Sequence, residues 1–397
     1  VTVAAALVLP VADAAALWGD KLELYISETV VHDSNVFRIS EDADPGATIG
    51  SPSRSDTYTQ TSPGFALDIP VSRQRFVGGV RWNTTRYNRF SVLDFDGHEG
   101  QAAWQWRAGN DWFGQLGYSE TLALQSLANS RVGILSGQPN SLDTRRAFLK
   151  ANHDLTPRWQ ARGDLGRTEQ HNGLPALAVN DIVIEHAGLA LLYATPLKNR
   201  IGLGARAEEG RYPNREGLPP DAVTDSYRQN NVDVILEYIL TGHSRLTARA
   251  GWVHRAHDNL PQRDFDEGTY HLDYEWRPTG KTTVNAVARR EVSGLDDTVS
   301  RFVLLTGFAL SPTWHMTERA SAALNLEYSA RDYLSDPTLL LAPSRTDWVR
   351  TAGLRFSYRP LRALTLEMSL FRETRSSNFP LGDYEATAGS VGARIGF

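Results

Sequence analysis

Arg200-Ile201-Gly202-Leu203-Gly204-Ala205-Arg206-Ala207 puts an apolar side chain at every second position and a glycine or an arginine in between. A period of two belongs to a β-strand whose two faces meet different surroundings. The same pattern returns along the chain. Leu22, Leu24 and Ile26 alternate with Glu23, Tyr25 and Ser27, and Trp159, Ala161, Gly163 and Leu165 alternate with Arg158, Gln160, Arg162 and Asp164. Val232, Val234, Leu236 and Tyr238 alternate with Asn231, Asp233, Ile235 and Glu237, and Leu364, Leu366, Met368 and Leu370 with Thr365, Glu367, Ser369 and Phe371. These runs extend over about ten residues, whereas strands of soluble sandwiches are about five or six. Ten residues is the length of a tilted strand crossing a bilayer.

Segments of this kind predict strands near 21–30, 59–69, 74–87, 97–107, 111–122, 143–154, 158–169, 181–194 and 199–210. They continue near 226–239, 244–256, 266–276, 281–292, 300–310, 314–330, 346–358, 363–375 and 385–397. The count is about eighteen, sixteen being the lower bound, and an even number fits a single-chain bacterial barrel. The predicted fold is all-β, a transmembrane antiparallel up-and-down barrel in the outer membrane of a Gram-negative bacterium, with residues 16–397 as its single domain.

Composition agrees. A 41% hydrophobic fraction is what half lipid-facing, half lumen-facing strands give. The chain has no cysteine, which removes disulfides, thiolate chemistry and Cys metal clusters. A net charge of −5 removes the basic excess that nucleic-acid binding needs. Val1 to Pro10 is an apolar run, and Ala12-Asp13-Ala14 follows as a small-residue site. Residues 1–15 therefore read as the rear of a secretory signal peptide, the alternative being a short core helix that Pro10 and Asp13 would interrupt. No other run approaches the roughly 18 to 20 apolar residues of a spanning helix.

Connections sort by parity. Pro70-Val71-Ser72, Gly109-Asn110, Thr156-Pro157, Pro196-Leu197-Lys198, Thr241-Gly242-His243, Pro278-Thr279-Gly280, Ser311-Pro312-Thr313 and Pro360-Leu361-Arg362 read as short turns. The segments between them are often long, as at 31–58, 123–142, 211–225 and 331–345. Short turns face the periplasm and long loops the outside. Trp104, Trp106, Trp112, Trp159, Tyr193, Tyr238, Trp276, Trp314 and Tyr358 fall beside the short turns, as an interfacial girdle would. The last strand ends on Ile395, Gly396 and Phe397, similar to the terminal signal read by the barrel-assembly machinery. Ile395 and Phe397 are therefore assigned to assembly, and the girdle to contact with outer-membrane lipid and lipopolysaccharide.

The inward phase carries the candidate functional residues: Arg81, Arg162, Arg206, Asp233, Glu237, Arg249, Glu327 and Arg355. Signs are mixed, with Arg206 expected beside Asp233 and Glu237 beside Arg245 and Arg249. Cross-strand pairing that braces the wall is one account of them. The other is a polar path whose guanidinium and carboxylate groups hydrogen-bond a sugar chain in transit. The ten histidines show no recurrent spacing, and neither HExxH, GxSxG nor a phosphate-cradling loop occurs. His153 with Asp154, and His171 with Glu169, read as polar strand ends, so no enzyme, metal or cofactor is expected. Asp33, Glu41, Asp42 and Asp44 read as a solvated acidic loop, without the spacing of a calcium site.

Certain strings add a resemblance. Asp33-Ser34-Asn35-Val36-Phe37-Arg38, Ser72-Arg73-Gln74-Arg75, Gly210-Arg211-Tyr212-Pro213-Asn214-Arg215, Gln262-Arg263-Asp264-Phe265, Arg331-Asp332-Tyr333 and Arg375-Ser376-Ser377-Asn378 occur in this order. Together they resemble the EpsL family, outer-membrane barrels encoded with exopolysaccharide genes in Gram-negative bacteria that carry an exosortase system. The resemblance implies a role in exopolysaccharide production or export, and offers no catalytic residues. The first expectation is thus an export conduit, with exopolysaccharide and periplasmic and inner-membrane export proteins as partners. The alternatives are a general diffusion porin for small solutes and, behind it, an outer-membrane hydrolase.

Overall fold

The structure, a computed structural model, describes residues 21–128, 138–215, 226–258, 261–293, 300–335 and 345–397. The signal-peptide assignment to 1–15 lies outside them. Nine strands make the first half: β1 (Leu22–Asp33), β2 (Asp56–Val71), β3 (Gln74–Tyr87), β4 (Phe95–Ala108), β5 (Trp112–Leu124), β6 (Ser141–Asp154), β7 (Trp159–Asn172), β8 (Ile182–Ala194) and β9 (Arg200–Arg211). The second half runs β10 (Tyr227–Thr241), β11 (Ser244–His257), β12 (Phe265–Thr279), β13 (Thr282–Ser293), β14 (Ser300–His315), β15 (Ala320–Ser335), β16 (Arg345–Leu361), β17 (Leu364–Ser377) and β18 (Tyr384–Gly396). Each strand pairs antiparallel with its neighbour in sequence, and β1 pairs with β18, so the eighteen-stranded sheet closes on itself. Closure satisfies every strand edge, which a bilayer demands because it offers no water to an unpaired backbone.

Alternation becomes geometry in the way the sequence implies. Leu189, Leu203, Val232, Trp252, Phe308, Met368 and Leu370 stand exposed on the outer face, as lipid contacts do. Their chain neighbours face the lumen. At the ends with short turns Trp104, Trp112, Trp159, Tyr238, Trp276, Trp314 and Tyr358 are also exposed, and some meet across strands: Trp112 stacks on His153 at 4.1 Å, and Trp159 meets Tyr193 edge-on at 5.2 Å. Connections on that side run from two residues (72–73) to five (195–199), and on the other from six (378–383) to twenty-two (34–55).

One predicted turn is displaced. Ser311-Pro312-Thr313 lies inside β14, and the chain reverses at 316–319 instead. There Thr317 Oγ1 accepts from the backbone N–H groups of Arg319 (3.2 Å) and Ala320 (3.0 Å), a hydroxyl-capped turn. Pro312 is tolerated because the β14–β15 ladder passes over Ser311 and Pro312 without a pair and resumes in register at Thr313.

The long loops define the outside. Cysteine placed at Ser53, in the loop from 34 to 55, is expected to react with an impermeant maleimide in intact cells. Labelling only after permeabilisation would invert the barrel. Asp221, the matching position in the loop before β10, lies outside the described residues.

Candidate functional site

The inner wall from β7 to β11 is held by arginines that lie along it. Arg162 on β7 reaches Glu237 on β10 at 2.5 Å, and Arg200 on β9 meets the other oxygen of the same carboxylate at 3.0 Å. Arg206 on β9 reaches over β8 to Asp164 on β7 at 2.9 Å, and His186 Nε2 stands 3.3 Å from that carboxylate. Two strand spacings are about 9.5 Å, within the span of an extended arginine. Such a reach needs an empty wall beneath it. The register puts Gly188 between Asp164 and Arg206, and a Cβ there would stand 2.5 Å from Asp164 Oδ1.

A second pair reaches over a strand between β13 and β15. Arg289 on β13 meets Glu327 on β15 at 2.8 Å, and Gly307 of β14 lies opposite Arg289. Elsewhere pairing is between neighbours: Arg81 with Glu99 at 2.6 Å, and Arg394 with Glu23 at 2.6 Å, its guanidinium 4.0 Å from the Tyr25 ring centre. Asp233 is largely buried, and its contact with Arg249 is long, 3.9 Å. Arg355 has no ion-pair partner among the described residues. Most of these pairs are water-facing, so each contributes little to stability and much to the polarity of the bore.

The register sets Asp233 diagonal to Arg206, and Glu237 diagonal to Arg245 and Arg249, on adjacent strands as expected, but the close ion pairs go elsewhere. Arg206 binds Asp164 rather than Asp233, and Glu237 binds Arg162 and Arg200 rather than Arg245 and Arg249. Adjacency of strands was the guide: Arg200 is the register partner of Glu237, but Arg206 passes over Gly188 to Asp164 and Arg162 passes over β8 and β9 to Glu237.

The outer mouth is narrowed from within. Arg38, at a backbone φ of 55°, binds Asp33 at 2.8 Å and stands 3.6 Å from Glu373 on β17, both carboxylates facing inward. Burial alone would lower the Arg38 pKa, but its hydrogen bond to Asp33 and the charges of Asp33 and Glu373 raise it above the ordinary value. Asn35 donates to the carbonyls of Ile39 (2.8 Å) and Glu385 (3.0 Å). Val36, Phe37 and Ile39 form a small core with Phe90 and Leu93, with Leu127 packed against it. Arg375 on β17 donates to the carbonyl of Ala128, so residues 125–128, after β5, reach over the mouth toward β17. Apolar residues inside a long polar loop were the signal for this, and the expectation of a solvated acidic loop passed over it. Asp33 is the carboxylate of Arg38, and Asp44 caps the helical turn Pro45–Ile49 through the Gly46 N–H at 3.0 Å.

Ile395 and Phe397 are exposed on the outer face, and the Phe397 N–H donates to the Leu24 carbonyl at 2.8 Å across the closing seam. His153 stacks on Trp112 in the girdle, and His171 lies 3.3 Å from Asp181 at the outer end of β7.

Residues 236–397 match the family described as "Putative beta-barrel porin 2". No curated protein matches the chain. Among solved structures, the outer membrane protein OpdK from Pseudomonas aeruginosa is 10% identical, over 95% of this chain and 99% of its own, with a TM-score of 0.48. A BenF-like porin from Pseudomonas fluorescens Pf-5 is 11% identical over 95% and 98%, at 0.49. A bacterial polysaccharide outer membrane secretin is 10% identical over 95% and 98%, at 0.36. The closed barrel, its apolar outer belt and the porin-family match make this chain a porin-like β-barrel of the Gram-negative outer membrane.

Proposed function

We propose that this barrel is a diffusion channel for small polar solutes, narrowed on one side of its outer mouth. The observation that carries the reading is the inner wall, where arginines and carboxylates pair flat against the strands instead of meeting across the bore. Eighteen strands leave an aqueous lumen when the side chains lie this way. Purified barrel in a planar bilayer is expected to give discrete conductance steps, and liposomes carrying it should swell in small sugars. Arg38→Ala, which frees the segment from 35 to 39, should raise the step size, because its contacts with Asp33 and Glu373 hold that segment inside the mouth. A barrel that folds yet conducts in neither form would overturn the channel reading.

A second reading, export of exopolysaccharide with periplasmic and inner-membrane partner proteins, is favoured by the ordered strings from Asp33 to Asn378 that resemble the EpsL family. Its measurement is secreted polymer per cell in a strain lacking the chain, where undiminished polymer would remove it.

A further inference from the structure

The lumen near the periplasmic mouth holds a cavity of about 550 Å³ on the wall of β3 to β6. That lies within the roughly 300–1,000 Å³ of small-molecule sites. Two registered rows build it. The first runs Arg75, Gln105, Gln115, Lys150 across four strands, and the second, nearer the periplasm, runs Arg107, Phe113, Asn152. Arg75 is engaged by Asp68, and Arg73 at the rim donates to the Gly109 carbonyl at 2.7 Å.

Arg107 and Lys150 differ from Arg75 beside them and from the paired cations of the β7 to β11 wall. Neither has a carboxylate partner among the described residues. Asp164, which the register sets opposite Lys150, is occupied by Arg206 and His186, and Asp154 accepts from Gln160 at 2.7 Å. Instead Arg107 lies 5.7 Å from the ring centre of Phe113, and Lys150 lies 5.5 Å from that of Phe148. An aromatic face positions a cation without cancelling its charge. Around them Gln105 and Gln115 offer both donors and acceptors, and Asn152, whose amide nitrogen also donates to the Phe113 carbonyl at 3.3 Å, adds its oxygen, the complement of a polyhydroxylated ligand.

We propose that this cavity binds a carboxylated sugar of hexuronate size. The carboxylate is held between Arg107 and Lys150, and the hydroxyls are met by the three carboxamides. Charge-assisted bonds to a carboxylate are the strongest available here, so they separate a hexuronate from a neutral hexose of equal size. The proposal deepens the channel reading and rests on it, since the cavity lies on the path through the bore.

The test is a calorimetric titration of folded barrel in detergent with glucuronate and with glucose. Glucuronate is expected to bind, and glucose at least about tenfold more weakly. Arg107→Gln with Lys150→Gln should weaken glucuronate by at least about tenfold and leave glucose unchanged. Heat-modifiability reports folding, and either single variant replaces the pair if the double one does not fold. Equal binding of the two sugars, or no loss in the variants, would overturn the site. Binding does not require conduction, so the two readings fail separately. A conducting barrel that ignores glucuronate removes the site alone, and a binding barrel that passes no ions removes the channel alone.

Discussion

Asp347→Ala is expected to cost the barrel about 3–5 kcal/mol of resistance to urea unfolding, the range for removing one partner of a buried ion pair. Asp347 is fully buried at the outer end of β16. It accepts two bonds from Arg345, at 2.9 and 2.5 Å, and one from Ser377 Oγ at 2.6 Å, while Arg375 stands 3.8 Å away. Without this carboxylate, the buried guanidinium of Arg375 faces the half-buried one of Arg345. Arg345 stacks 4.2 Å from the ring centre of Tyr333 and Arg375 lies 4.5 Å from that of Tyr384, so neither can easily turn out to water. Asp347→Asn, which keeps the hydrogen-bond acceptor and loses the charge, should fall between. The measurement is urea titration of barrel refolded in lipid vesicles, followed by tryptophan fluorescence. A change below about 1 kcal/mol, the worth of an exposed pair, would show that water reaches the cluster. Because Arg375 also holds the Ala128 carbonyl, the same variant should enlarge the conductance step.

Deleting Phe397 should reduce the amount of folded, heat-modifiable barrel in the outer membrane several-fold. Its ring is more than half exposed on the lipid side, and its N–H closes the seam to Leu24. Little packing inside the barrel is lost with it, so folding of purified protein in detergent should change far less than the level in cells. That contrast assigns the residue to assembly. Full levels in cells would instead make Phe397 one lipid contact among many.

The two faces of the strands were legible in the sequence because a period of two is written locally, residue by residue. Arg81, Arg162, Arg206 and Arg355 could be turned inward from parity alone. Which acid each one meets was not legible. Asp164 and Arg206 are separated by a whole strand, and their contact depends on Gly188, whose role shows only once β8 is placed between them. Pro312 misled for a related reason: a proline signals a turn in isolation, but a long strand facing lipid can lose one ladder bond and continue. The cavity around Arg107 and Lys150 was hidden because its residues come from separate turns and meet only through register.

Gly188 carries a further consequence for the radial profile of the bore. An arginine that lies over a glycine is a thin layer on the wall. The same arginine over a leucine would be lifted toward the axis, where its charge would meet whatever passes. At the Asp164–Arg206 pair, the local width of the bore therefore depends on the small residue beneath it, on a strand that carries no charge at that position. A lineage could retune the solute range of such a barrel by substituting at Gly188, leaving every ionic residue where it is.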